Sequence, residues 1–171
     1  MDIDLTQLSA RVGSTLQSRQ LMLACAESCT GGWVAEAITA TAGSSQWFER
    51  GFVTYSNAAK QELLGVRAAT LRRHGAVSEA TVCEMAAGAL QRSHAQAALA
   101  ISGIAGPGGG SPGKPVGTVC FAWALQGATP TVATLCFAGD RTAVRRQAVA
   151  HALLGLLRVL GETSPGPDAS N

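Results

Sequence analysis

Leu21-Met22-Leu23-Ala24-Cys25-Ala26-Glu27-Ser28-Cys29-Thr30-Gly31-Gly32-Trp33-Val34-Ala35-Glu36-Ala37-Ile38 is the stretch on which the fold turns. Residues 21–26 are a short apolar run suited to a buried strand, residues 27–32 are small or polar, and Val34, Ala35 and Ile38 then return at helical spacing. The segment therefore reads as a strand, a tight turn and a helix start. Upstream, Leu5, Leu8, Val12 and Leu16 predict an amphipathic helix of about three turns. Downstream, Gly43-Ser44-Ser45 ends the helix, residues 52–55 predict a second strand, and residues 57–64 predict a helix closed by Gly65. Ser78 is suited to cap a helix with Val82, Met85, Ala86 and Ala89 on its apolar side, running to about Ser93.

Residues 97–101 form another buried strand, followed by a glycine-rich loop over residues 102–115. Residues 116–125 and 131–138 predict an antiparallel pair joined across residues 126–130. Asp140 caps a long helix through Val144, Ala148, Ala152 and Leu156, and residues 161–171, with Pro165 and Pro167, have the composition of a disordered tail. Strands alternating with helices, plus one hairpin, predict a three-layer α/β sandwich, a mixed sheet with helices on both faces, in a single domain over residues 1–160. Ligands of open α/β sheets sit outside the carboxyl ends of the strands. Residues 27–32 and 102–115 each follow a strand and are expected to face one crevice.

Composition narrows the function classes. The chain has 171 residues, 47% of them hydrophobic and 14% charged, with a formal net charge of +2. That is enough chain to bury a real core, without the charge excess of a disordered protein or the basic bias of a nucleic-acid binder. No apolar run approaches the roughly 18 residues a membrane span needs. Asp2 and Asp4 precede any Lys or Arg and no apolar h-region follows, so no secretory signal is expected and the cytosol is the expected compartment. Cys25, Cys29, Cys83, Cys120 and Cys136 lack CxxC pairing and zinc-type histidine spacing. They are expected to be buried, reduced thiols, and no metal is expected.

Ser28 lies where a strand meets a helix start, a place where free backbone N–H groups and the positive end of a helix dipole favour developing negative charge. A hydroxyl attacking a carbonyl there would form an oxyanion beside the amides of Cys29, Thr30, Gly31 and Gly32. The plain alternative makes Ser28 or Thr30 the N-cap of the following helix. A nucleophilic serine needs a base. His74, sited beside Arg72 and Arg73 in an expected loop, His94 and His151 have no triad spacing to Ser28. Lysine is the other option: there are only two, Lys60 and Lys114, against eleven arginines. A desolvated Lys60, five residues after the sole tyrosine, Tyr55, can act as a base near neutral pH; otherwise it is a solvated helix residue. Ser102, Lys114, Arg141 and Arg145 are candidate donors to a phosphate. Trp33, Trp47 and Trp123 read as core, with a pocket or interface as the alternative. A P-loop-like phosphohydrolase is disfavoured, because the chain lacks GxxxxGK[ST] spacing with its lysine and any acidic metal cluster.

Taken together, Ala26-Glu27-Ser28-Cys29-Thr30-Gly31-Gly32, Gly43-Ser44-Ser45, Val53-Thr54-Tyr55-Ser56-Asn57 with Lys60, Gly75-Ala76-Val77-Ser78, Ser102-Gly103-Ile104-Ala105-Gly106-Pro107-Gly108-Gly109, Lys114-Pro115-Val116-Gly117-Thr118-Val119 and Gly139-Asp140-Arg141 resemble the CinA C-terminal domain family over about residues 5–160. The resemblance implies a stand-alone nicotinamide-nucleotide amidase that converts nicotinamide mononucleotide to nicotinic acid mononucleotide and ammonia without a cofactor. It implies Ser28 as nucleophile, Lys60 as general base and Tyr55 as a partner in proton transfer or orientation. It implies Ser102, where many relatives have threonine, and Arg141 as contacts to the nucleotide, and Thr30, Gly31, Gly32, Gly103 and Arg145 complete the expected substrate-binding positions. Low charge and the resemblance together imply a homodimer acting on a small nucleotide, with no nucleic acid or membrane partner. The alternative function is a non-catalytic nucleotide-binding or regulatory module of the same fold.

Overall fold

A computed structural model describes residues 3–161. The elements run α1 (Leu5–Ser18), β1 (Leu23–Glu27), α2 (Trp33–Thr39), a 3-10 turn (Ser44–Gln46), β2 (Phe48–Val53), α3 (Asn57–Leu64), α4 (Ala68–His74), α5 (Glu79–Gln91), β3 (Ala97–Gly103), β4 (Thr118–Leu125), β5 (Thr131–Cys136) and α6 (Arg141–Val159). The sheet order is β2-β1-β3-β4-β5. β1 pairs parallel with β2 and β3, and β4 pairs antiparallel with β3 and β5.

Strand alternation sorts the two faces. Leu23 and Cys25, Leu99 and Ile101, and Phe121 and Trp123 point into one core with α1, α2 and α6. Ala24 and Ala26, Ala98 and Ala100, and Ala122 and Ala124 point into the other with α3, α4 and α5. The alanine layer lets α5 lie close to the sheet, while the bulkier face takes the longer α6. This is the three-layer sandwich with a mixed sheet. Each fully buried Leu, Ile or Phe side chain contributes about 1.5–3 kcal/mol, so both cores are needed to hold the layers.

Local signals set most boundaries. Gly65, at φ 68°, ends α3 by accepting the left-handed conformation that other residues resist. Ser78 Oγ accepts from Thr81 N at 3.2 Å, and Asp140 Oδ1 accepts from Ala143 N at 2.8 Å, capping α5 and α6.

Several expectations are corrected. β1 begins at Leu23 rather than 21, β4 at Thr118 rather than 116, and β5 ends at Cys136 rather than 138. β2 spans Phe48–Val53 rather than 52–55. It is an edge strand, so Glu49 and Arg50 stay at the rim, bonded to each other at 2.7 Å, where charge tolerates strand geometry. His74 ends α4 rather than lying in a loop, and Arg72, Arg73 and His74 fill the last turn, where cations suit the helix dipole. β3 runs on through Ser102 and Gly103, placing both on a strand rather than in the glycine-rich loop. All five cysteines are free, but Cys83, on α5, is half-buried, and Cys136 is exposed because it ends β5, the other sheet edge. The tail expected over 161–171 lies, from residue 162 on, outside the described residues.

Candidate active site

The carboxyl ends of β1, β2 and β3 meet at one end of the sheet. Residues 28–32, 54–56 and 104–117 leave from there, and β5, antiparallel to β4, delivers the start of α6 to the same end. The two loops therefore leave the same end of the sheet, as the shared-crevice expectation requires.

Ser28 follows the last residue of β1, and its N–H donates to Ile101 O at 3.0 Å, extending the β1–β3 ladder by one bond. Lys60 closes the first turn of α3, a helix started by Ser56, whose Oγ accepts from Ala59 N. The lysine is only 2% exposed. Its Nζ lies 2.9 Å from Ser28 Oγ and 2.8 Å from Thr54 O, and among the described residues no carboxylate pairs with it. Burial without a counter-charge pushes the Lys60 pKa below the usual lysine value. The solvated-helix reading of Lys60 is thereby replaced by a buried amine on a serine hydroxyl. Beside it, the buried Thr54 Oγ1 has no hydrogen-bond partner among the described residues.

The turn between β1 and α2 differs from expectation. Neither Ser28 nor Thr30 caps α2; the N-cap is Gly32, at φ 102°. The capping group is Glu27, fully buried, which accepts from Thr30 Oγ1 at 2.6 Å, Gly32 N at 3.0 Å, Val34 N at 3.0 Å and Ala35 N at 2.9 Å. These N–H groups point inward to a carboxylate, where the sequence expected them to point outward. Gly31 N is also occupied, donating to Ser28 O at 3.0 Å. Sequence reasoning passed over Glu27; the available signal was a single acid ending an apolar strand immediately before a helix start.

Cys29 is buried, and burial pushes its thiol up to about 11, so it is a thiol rather than a thiolate near neutrality. A Cβ on Gly103 would come within 3.1 Å of Cys29 Sγ, so Gly103 packs beneath the turn. Ser102 is buried one step beyond the Glu27–Ile101 pair, level with Ser28.

Both arginines expected to await a phosphate already hold protein atoms. Arg141 donates to Gly106 O at 2.8 Å and to Tyr55 Oη at 2.9 Å. Arg145 donates to Cys29 O at 3.1 Å and Thr30 O at 2.9 Å, and its guanidinium lies 5.3 Å from the centre of the Trp33 ring. Tyr55 is 62% exposed and bonded to Arg141 rather than to Ser28 or Lys60. Lys114 donates to His74 O at 2.9 Å. Trp47 and Trp123 are core residues, whereas Trp33 is half-buried beside the turn. No histidine among the described residues bonds to Ser28; His151 lies against Phe121 at 4.7 Å.

A serine and a buried lysine gathered at the carboxyl ends of parallel strands make up the candidate site of this three-layer α/β sandwich. The chain belongs to the CinA C-terminal domain family, which matches residues 5–160. It is similar to the nicotinamide-nucleotide amidohydrolase PncC of Escherichia coli, with 60% identity over 152 residues, covering 89% of this chain and 92% of that protein. PncC of Enterobacter agglomerans is 54% identical over 154 residues, covering 90% and 94%. The crystal structure of competence damage-inducible protein A from Klebsiella pneumoniae superposes with a TM-score of 0.90 at 44% identity, covering 95% of this chain and 100% of that one.

Proposed function

We propose that this chain, an amidohydrolase like its named relatives, hydrolyses the carboxamide of nicotinamide mononucleotide to nicotinic acid mononucleotide and ammonia. The observation that carries the mechanism is the buried Lys60 Nζ at 2.9 Å from Ser28 Oγ. In its neutral form the amine accepts the Ser28 proton as Oγ attacks the carboxamide carbon. The resulting oxyanion is held by the Cys29 and Thr30 amides, which have no acceptor on another residue among the described residues. The lysine returns its proton to the leaving nitrogen, the C–N bond breaks, ammonia departs, and water then cleaves the acyl-serine with Lys60 again as base. Tyr55 and Arg141, with Gly31 and Gly32, meet the nucleotide at the surface, and the buried Thr30 and Ser102, with Gly103, support that lining from beneath. Binding of the phosphate supplies remote energy that positions the amide, so free nicotinamide should be a poor substrate.

The match over residues 5–160 supports reading residues 1–160 as one amidase domain. A cytosolic homodimer completes the proposal; light scattering tests the dimer and cell fractionation the compartment. The deciding assay is ammonia release from nicotinamide mononucleotide by the intact protein and by folded Ser28→Ala and Lys60→Ala variants. Loss in both variants supports the mechanism. Nucleotide binding with no release by the intact protein would favour a non-catalytic binding module, and full activity in Ser28→Ala would refute the nucleophile.

A further inference from the structure

We propose that Glu27 and Arg145 are positioning residues that fix the peptide planes of the nucleophile turn, so that the Cys29 and Thr30 N–H groups face the reacting oxygen. The assignment rests on the amidase reading above and extends it to two side chains that need not touch substrate.

The two side chains divide the turn between them. Glu27 accepts from the N–H groups of Gly32, Val34 and Ala35 and from the Thr30 hydroxyl. Arg145 donates to the carbonyls of Cys29 and Thr30. A trans peptide is planar, with its C=O and the next N–H pointing in opposite directions. Arg145 on Cys29 O therefore turns Thr30 N–H away from the guanidinium. In the same way Gly31 N on Ser28 O turns Cys29 N–H out of the turn, where it meets only its own Sγ. The turn keeps two backbone donors unclaimed by any other residue because its remaining polar groups are claimed.

Arginine suits this task because Nε and Nη2 form a rigid fork that reaches successive carbonyls, which a single ammonium does not. Trp33 under the guanidinium fixes the plane of the fork. Glu27 sits at the end of a strand buried on both faces, so its carboxylate has little freedom to move.

This differs from the phosphate-binding role that the sequence suggests for Arg145, and steady-state kinetics separates the two. Losing one oxyanion donor lowers kcat by about 10²–10³-fold. With nicotinamide mononucleotide as substrate, Arg145→Ala should therefore lose about 100-fold in kcat with KM within about threefold. Millimolar guanidinium should restore at least about tenfold of that loss, and Arg145→Lys should not match it. Glu27→Gln, which presents an NH2 group to one set of N–H donors, should show the same kcat-selective loss. Should that buried change prevent folding, half-buried Arg145 and its guanidinium rescue decide the matter. A KM raised about tenfold or more at near-native kcat in Arg145→Ala would assign it to substrate binding and overturn the proposal. Ser28-dependent turnover in the intact protein with kcat unchanged in Arg145→Ala would overturn the positioning role alone. No turnover by the intact protein would refute the amidase reading and this assignment with it.

Discussion

Replacing Lys60 by methionine probes the centre of the proposed mechanism. The lysine is 2% exposed, so truncation to alanine would open a cavity at about 2–5 kcal/mol. Methionine fills most of the same channel and removes only the amine. That amine has two contacts, Ser28 Oγ at 2.9 Å and Thr54 O at 2.8 Å. No histidine among the described residues is bonded to Ser28 to take its place. A positioned general base contributes about 10²–10⁴-fold, or about 2.7–5.4 kcal/mol of barrier at 1.36 kcal/mol per decade. We expect kcat for ammonia release to fall by about 10²–10⁴-fold, with KM changed by less than about threefold. Ser28→Ala should fall at least as far, and the double variant no further, because the two groups act as one unit. The uncovered Thr54 carbonyl should lower stability by no more than about 1–3 kcal/mol, so a thermal melt can verify folding. A folded Lys60→Met protein retaining kcat within about threefold would refute lysine as the base.

The acid limb of kcat/KM should rise with pH and level off with a midpoint below 10.5, because burial lowers the Lys60 pKa and only the neutral amine can accept a proton. The unfolded chain holds that proton to higher pH than the folded one. Stability should therefore gain with pH between the folded Lys60 pKa and 10.5, a slope that urea melts should detect and that Lys60→Met should reduce. Thr54→Val removes a buried, unpartnered hydroxyl, and a gain of about 2 kcal/mol would raise Tm by about 4–8 °C; a lower Tm would mean that the hydroxyl is bonded. In Gly88→Ala the added Cβ would land on the Leu64 carbonyl where α5 passes α3. The urea midpoint should drop by an amount equivalent to about 1–3 kcal/mol, and an unchanged midpoint would contradict that close approach.

How much of this was legible in the sequence depended on the range of the interaction. α3 matches residues 57–64 with Gly65 as its stop, Ser78 and Asp140 cap α5 and α6, and the β4–β5 hairpin is antiparallel. All of these rest on signals within a few residues of one another. α4 was missed because Ala68–His74 makes only two turns and its Arg67 N-cap supplies no side-chain bond, so little distinguishes it from a polar loop. β2 was shifted because Glu49 and Arg50 do not resemble strand residues until an edge position leaves them in solvent.

The site divides along the same line. The amino-acid sequence by itself determined that Ser28 would stand between a strand and a helix, and that Lys60 would ride on a capped helix beginning just after Tyr55. Only the tertiary structure decided that the two would meet, because β1 and β2 lie side by side in parallel and bring residues 32 positions apart to 2.9 Å. It also decided that Glu27 would claim the helix-start amides, and that Arg141 and Arg145 would reach back more than 80 residues to Tyr55, Cys29 and Thr30. Backbone propensity and capping act within a turn or two of the chain. Which polar groups share a buried space is fixed by strand order and layer packing, and burial then makes nearly all of them take the partner the fold provides, Thr54 Oγ1 being the exception among the described residues.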